Sequence, residues 1–124
     1  MIRIFNYLVI ISLIVLGMTS CYYDNEEELY PNPIECDTTI VTYSASITPI
    51  MSNNCNGCHS SSAPSGNVIT DTYEGLKIIA DDGSLWGAVN HESGYSPMPK
   101  DRPKLNDCDL TKIGIWLDNG ALND

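Results

Sequence analysis

The sequence predicts a small, mostly α-helical domain, and three observations support this prediction. Apolar residues recur at helical spacing in several short segments. Strand-like alternation is confined to residues 38–47, where one short strand is the alternative. The part of the chain at 36–124 is long enough for one small domain but too short for a large apolar core. Long loops are predicted at 60–70 and 90–106.

The first predicted helix is TPIMSNN at 48–54. Thr48 is suited to an N-cap, and Pro49 follows at the first helical position, where its missing N–H is not needed. A start as early as Ser44 is the alternative. This helix would end directly before a group of cysteine and histidine residues.

The second predicted helix begins at Asp71, which has the capping-box spacing to Glu74, and ends at Gly83. One face of this helix is apolar and carries Tyr73, Leu76, Ile79 and Ala80.

Two further helices are predicted towards the end of the chain. One begins with Ser84 as its cap and presents Leu85, Trp86 and Val89. The last lies within 106–124, starts with acidic residues that suit the positive end of a helix dipole, and ends at Gly120. Its apolar positions are Leu110, Ile113 and either Trp116 or Leu117.

The first 20 residues have the layout of an export signal. Arg3 precedes an apolar run at 8–18, and Thr19 and Ser20 are small polar residues directly before Cys21. The run is about half of the ~20 residues that a membrane-spanning helix needs, so removal after export is favoured over a permanent anchor. We therefore assign residues 1–20 to a signal peptide.

Cys21 follows this signal as the cysteine of a bacterial lipobox does, although Met18 departs from the usual leucine. The resemblance implies that the Cys21 thiol is lipidated and becomes the new N-terminus. Residues 21–35 are acidic, contain proline and lack periodicity, which predicts a tether. The expected location is the cell envelope of a Gram-negative bacterium, anchored by lipid at the periplasmic face or the cell surface.

The charge of the chain limits its partners. The formal net charge is −10, and all 16 acidic residues follow Cys21. Nucleic acid and anionic lipid are therefore excluded as favourable partners. A protein partner with a basic docking surface is expected instead, with an association that weakens as salt rises.

The stretch CNGCH at 55–59 contains one of the two histidines of the chain. On a helical turn, Cys55, Cys58 and His59 would project from one face. Two thiols in this arrangement can form thioethers with one haem while the imidazole binds its iron, and the pentapeptide is the sequence signal for c-type haem attachment.

Two other chemistries use the same residue types. Structural zinc takes its ligands in closely spaced pairs, and the remaining donors are scattered singly at Cys36, His91 and Cys108. A thioredoxin-like dithiol needs a strand before the motif within a βαβ unit, and none is predicted here. Haem c is favoured, and both alternatives stay open.

A haem iron bound by His59 usually needs a second axial ligand, and Met98 is the candidate. It lies 39 residues after His59 in a loop where Pro97 and Pro99 restrict the backbone on both sides. His91 is the rival ligand, and a histidine pair would lower the potential because methionine raises it. Two of the other methionines leave with the signal and one lies four residues before Cys55: Met1, Met18 and Met51.

Taken together, CNGCH, the PMP sequence at 97–99 and LTKIGIWLDNGA at 110–121 resemble the monohaem class I c-type cytochromes, especially small envelope lipoproteins of that family. The resemblance covers residues from about 43 to 122. It implies one covalently bound haem c in a helical domain at 36–124, whose N-terminal and C-terminal helices cross.

The resemblance also implies roles for individual residues. Cys55 and Cys58 hold the haem, His59 is the proximal ligand and Met98 the distal one. Pro64 would supply the carbonyl that orients His59. Apolar residues would keep water from the iron, with Trp116 near the haem: Ile50, Leu76, Ile79, Leu85, Trp86, Ile113 and Trp116.

With Cys21 assigned to lipid and two cysteines to haem, Cys36 and Cys108 are left as one pair in an oxidising compartment. The crossing helices of the family would bring the entry to the first helix near the start of the last, which supports a disulfide. Free thiols are the alternative.

These expectations combine into a lipid-anchored one-electron carrier rather than an enzyme. Two alternatives belong to other classes. The first is a haem enzyme or gas sensor in which Met98 is displaced, and the second is a structural lipoprotein that binds zinc.

Overall fold

The structure is a computed structural model that describes residues 36–124. The predicted signal peptide, the predicted lipidation site at Cys21 and the predicted acidic tether lie outside the described residues. The described part contains several helices and only two very short strands, which confirms a partly helical domain with few strands.

The N-terminal helical segment starts earlier than the first predicted cap. A π-helical turn at Tyr43–Ile47 runs directly into helix α1 at Thr48–Asn54. The side chain of Thr42 caps this segment by accepting a hydrogen bond of 3.1 Å from the backbone N–H three residues on. Thr48 is helical, and its hydroxyl donates to the Tyr43 carbonyl at 3.0 Å. The predicted cap at Thr48 is therefore wrong, as is the alternative of a strand over 38–47.

Helix α2 spans Tyr73–Asp81, and its N-cap is Thr72, whose hydroxyl oxygen accepts from the third N–H of the helix at 3.2 Å. The predicted cap, Asp71, instead accepts hydrogen bonds from the backbone and side chain of Ser61. The predicted stop at Gly83 is confirmed, because its φ of 78° lies in the left-handed region that glycine tolerates.

Helix α3 spans Ser84–Val89 and starts directly after the left-handed glycine, so the predicted cap at Ser84 is wrong. Helix α4 spans Asp107–Asp118, and the side chain of Asn106 caps it by accepting from the Asp109 N–H at 2.9 Å. The predicted stop at Gly120 is confirmed by its φ of 88°.

The two strands form a short antiparallel pair within the predicted loop at 60–70. Strand β1 at His59–Ser60 pairs with β2 at Ala63–Pro64, with His59 opposite Pro64. A 3₁₀ turn at Ser65–Asn67 follows directly. This pair carries the histidine of the CNGCH motif.

The apolar core joins the N-terminal segment to the last helix. The Tyr43 ring lies 5.1 Å from the Tyr73 ring and 6.0 Å from that of Trp116, centroid to centroid. The Trp116 indole N–H donates to the Leu122 carbonyl at 2.9 Å. Within residues 36–124, no helix is both long enough and apolar enough to cross a bilayer. The most deeply buried core side chains are Trp116, Ile47, Met51, Leu76 and Ile113.

A disulfide connects the beginning of the described chain to the start of α4. The sulfur atoms of Cys36 and Cys108 are 2.08 Å apart, across a separation of 72 residues. The predicted pairing is the one found, and it links the segment before the first helix to the last helix.

Candidate functional site

A cleft lies between the CNGCH motif, α3 and the loop after α3. It consists of two adjoining pockets of about 210 Å³ and 470 Å³. Volumes of this order are typical of small-molecule and cofactor sites. Five residues line both pockets and define the centre of the cleft: Cys55, His59, Val68, Val89 and Met98.

The CNGCH motif lies in turns after α1 rather than in a regular helix. Cys55 is the C-cap of α1, and the backbone N–H groups of Cys58 and His59 both donate to its carbonyl, at 3.1 Å and 3.0 Å. One turn with helical hydrogen bonding therefore persists through the motif. Both thiols are free, and Cys55 lines both pockets whereas the exposed Cys58 lines only the larger one.

His59 has one ring nitrogen engaged by the backbone. Its Nδ1 lies 3.0 Å from the carbonyl oxygen of Ser65. Because a carbonyl only accepts, Nδ1 carries the proton and Nε2 keeps its lone pair, which is the arrangement of a metal-binding histidine with an oriented ring. The family resemblance implied the neighbouring carbonyl of Pro64, and this prediction is wrong because the carbonyl bonded to Nδ1 is that of Ser65.

The backbone of His59 is also held in place. The Thr70 N–H donates to the His59 carbonyl at 2.7 Å. The buried Thr70 hydroxyl lies 2.8 Å from Asn56 Oδ1 and 3.1 Å from the same carbonyl. Sequence reasoning missed this contribution, since a threonine in a polar loop gives no signal of burial.

Met98, and not His91, reaches the cleft. Met98 is half-buried and lines both pockets, and its N–H donates to the Ala88 carbonyl at 3.0 Å. His91 is exposed and lines neither pocket. Its Nε2 lies 3.0 Å from the Met98 carbonyl oxygen. The geometry therefore favours Met98 over His91 as a group that acts on a molecule in the cleft.

The apolar wall of the cleft differs from the predicted one. Of the seven residues expected to exclude water, Ile79 and Leu85 line the smaller pocket. The others line neither pocket of the cleft, and Trp116 among them packs in the core instead: Ile50, Leu76, Trp86, Ile113 and Trp116. Apolar periodicity identifies buried positions but does not say which cavity they face. The residues that sequence reasoning missed include Val68, Val89, Tyr95 and Leu105.

Burial keeps the Cys55 thiol protonated. Desolvation raises the pKa of Cys55 from its ordinary value of 9.0 to about 11. The attacking cysteine of a dithiol redox motif instead has a lowered pKa, because the thiolate is the nucleophile. The environment of Cys55 therefore does not favour the thioredoxin-like alternative.

We expect the two motif thiols of the haem-free protein to react at very different rates with iodoacetamide. Cys58 is exposed, whereas Cys55 is half-buried with a pKa of about 11, so at pH 9 only about one Cys55 in a hundred is thiolate. Mass spectrometry of timed samples should show Cys58 modified first, with the Cys55 rate still rising up to about pH 11. Equal rates near pH 8 would contradict this description of the site.

Within residues 36–124, the structure assembles no group of three or more histidine, cysteine, aspartate or glutamate side chains that could hold a metal ion. Two of the scattered donors, Cys36 and Cys108, are bonded to each other. A four-ligand zinc site is therefore not formed in the described part of the chain.

Comparisons with protein-family models, with curated proteins and with solved structures found no match for this chain. The residues and geometry of the cleft are therefore the basis for any statement about function.

Proposed function

We propose that the protein is a monohaem c-type cytochrome, with a class I-like helical domain at 36–124, that carries single electrons in the bacterial envelope. The observation that supports this most strongly is the composition of one cleft. Cys55, Cys58, His59 and Met98 all line it, and His59 has its Nδ1 engaged by Ser65, which leaves Nε2 as the ligand atom.

Each of these residues has a distinct task in the proposal. The thiols of Cys55 and Cys58 would hold haem c covalently through thioether bonds. His59 Nε2 and the Met98 thioether would bind its iron. The hydrogen bond from His59 to Ser65 fixes the ring and strengthens Nε2 as a ligand. When bound, haem c supplies an iron that alternates between the ferric and ferrous states.

An electron carrier is favoured over an enzyme because two protein ligands would leave no free coordination position for a substrate. The alternative is a haem enzyme or gas sensor in which Met98 is displaced. This alternative is retained because Met98 is only half-buried. Unchanged spectra after carbon monoxide is added to the reduced protein and peroxide to the oxidised protein would argue against that alternative.

The anchor belongs to the same proposal. Cys21 would carry the lipid, and the acidic stretch at 21–35 would connect it to the domain. Several acyl chains attach a protein firmly, whereas one chain alone gives only marginal binding. Partition of the full-length protein into detergent, lost in a Cys21→Ala variant, is the expected result, and equal partition would contradict lipidation.

Covalent haem is the direct test of the proposed function. Wild-type protein from an exporting host that matures haem c should give a haem-stained band on a denaturing gel. Cys55→Ala/Cys58→Ala should abolish the stain, because no thioether can form.

The disulfide supplies the matched control for this test. Cys36→Ala/Cys108→Ala removes the same number of cysteines away from the cleft, so its folded fraction should keep the stain. A colourless wild-type band, beside a stained control cytochrome from the same host, would contradict the proposal and make zinc analysis the next step.

The charge at the cleft mouth differs in sign from that of the whole chain. Lys100 and Arg102 line the larger pocket, although the net charge of the chain is −10. We expect the acidic surface to attract basic partner faces and these two cations to meet carboxylates on the partner at the cleft. Raising ionic strength should therefore slow electron exchange with the partner. A rate that salt leaves unchanged would contradict this docking model.

A further inference from the structure

The chain from 90 to 98 contains no helix or strand, yet it is attached to the end of α3. The Met98 N–H donates to the Ala88 carbonyl at 3.0 Å, and the Glu92 N–H donates to the Gly87 carbonyl at 2.9 Å. These two backbone contacts bring both ends of the segment onto the same turn of helix.

An aromatic side chain packs between these two contacts. The Tyr95 ring lies directly against Gly87, where a Cβ atom would come within 2.3 Å of the ring. Glycine at this position therefore permits the close approach, which no larger residue would allow without displacing the ring. The segment is packed onto α3 in addition to being hydrogen-bonded to it.

His91 adds the only side-chain hydrogen bond recorded to the Met98 backbone within residues 36–124. Its Nε2 lies 3.0 Å from the Met98 carbonyl oxygen, so Nε2–H is the donor. The φ of His91 is 57°, a left-handed conformation that is uncommon for a residue with a side chain. With Ala88 accepting from the Met98 N–H, both backbone polar groups of Met98 are engaged.

We propose that His91 is a positioning residue: it holds Met98 against α3 and thereby sets how readily an outside ligand replaces the Met98 thioether on iron. The proposal rests on the proposed function, and it assigns His91 a role other than that of axial ligand. For an outside ligand to bind, Met98 must move away from the cleft, and every contact that holds its backbone opposes this movement. Within residues 36–124, the bond from His91 is the hydrogen bond to the Met98 backbone that a side-chain substitution can remove.

The experiment compares His91→Gly with Asp101→Gly in the haem-loaded protein. Glycine tolerates the left-handed φ, so the first variant loses the donor without backbone strain. Asp101 has the same φ of 57°, is exposed and lies in the next segment of the chain. The control therefore introduces an equally flexible residue while the contact between His91 and Met98 is kept.

Imidazole at a fixed, mildly alkaline pH is the probe, because its neutral form then dominates and its binding to ferric haem in place of methionine changes the visible spectrum. In His91→Gly its dissociation constant should fall by about three- to tenfold, the range expected for one lost hydrogen bond. In Asp101→Gly it should change less than about twofold. His91→Asn, which keeps an amide donor and accepts a left-handed φ, should recover part of the difference.

A second measurement does not depend on haem. The Met98 amide should exchange with deuterium faster in His91→Gly than in Asp101→Gly, because the segment opens more often. Equal imidazole affinities in the two variants, or equal exchange of the Met98 amide, would overturn the role of His91. A protein without haem would refute the proposed function, and in that same protein the amide exchange would still decide whether His91 holds the segment.

Discussion

Replacing Met98 by alanine is expected to lower the reduction potential of the haem-loaded protein by at least about 0.1 V, a fraction of the roughly 0.8 V over which axial ligands set haem potentials. A thioether ligand raises the potential of a histidine-bound haem, and alanine removes it. The same variant should bind carbon monoxide in the reduced state, since a coordination position becomes free. Potentiometric titration followed by visible spectroscopy measures both effects.

Met51→Leu is the matched control for this prediction. Met51 is 1 % exposed in the core and lines neither pocket of the cleft. Leucine has nearly the same volume, so the fold should tolerate the exchange. The potential of Met51→Leu should stay close to that of the wild type.

If Met98→Ala kept the wild-type potential and spectrum, another group would be the distal ligand. His91 would then be the first residue to test. Its ring would have to leave the Met98 carbonyl, which it contacts at 3.0 Å, and enter a cleft that it does not line. A changed spectrum on replacing His91, with carbon monoxide binding gained in the reduced state, would establish that arrangement and contradict ours.

Removing the disulfide is expected to lower the free energy of unfolding by about 4 kcal/mol. Cys36 and Cys108 are 72 residues apart, and in the chain-entropy model the crosslink acts by restricting the unfolded chain over that loop. A domain of this size has a total stability on the order of 5 to 15 kcal/mol. Cys36→Ala/Cys108→Ala should therefore lose a large part of its stability.

Guanidinium unfolding of both proteins with haem attached measures this loss. The slope of free energy against denaturant must be followed as well as the midpoint, since removing a crosslink exposes more surface in the unfolded state. A loss of unfolding free energy below about 1 kcal/mol would show that the unfolded chain between Cys36 and Cys108 is already restricted in another way. The covalent attachment of haem through Cys55 and Cys58 should be unaffected.

The features that could be predicted from the sequence are those set by local chemistry. The spacing of Cys55, Cys58 and His59 identifies the candidate site whatever the surrounding fold. Gly83 and Gly120 end their helices because glycine tolerates a left-handed φ. The buried face of the last helix, with Ile113 and Trp116, follows from its apolar period.

Helix starts were predicted less well than helix ends. Several side chains near each start can accept a hydrogen bond from a free N–H, and competing partners decide which of them does so. Aspartate is a favoured helix cap, but Asp71 accepts a hydrogen bond from Ser61 across the loop, and Thr72 caps the helix instead. Such a competitor is ten residues away in the chain, so local sequence does not reveal it.

The detailed composition of the cleft was decided by the tertiary structure. The carbonyl that orients His59 is that of Ser65, and Pro64 lies opposite the histidine in the short strand pair. Apolar spacing tells which side chains avoid water, but only the packing of α2, α3 and the loops tells which of them line the cleft.

The sequence by itself identified the candidate chemistry and the largely helical segments, because spacing and period are properties of the chain. It offered Cys36 and Cys108 as a pair with free thiols as the alternative, and the structure shows the bond. The tertiary structure decided that Met98 reaches the cleft while His91 binds the Met98 backbone. Both residues lie in one polar loop, and their roles differ only through contacts with α3.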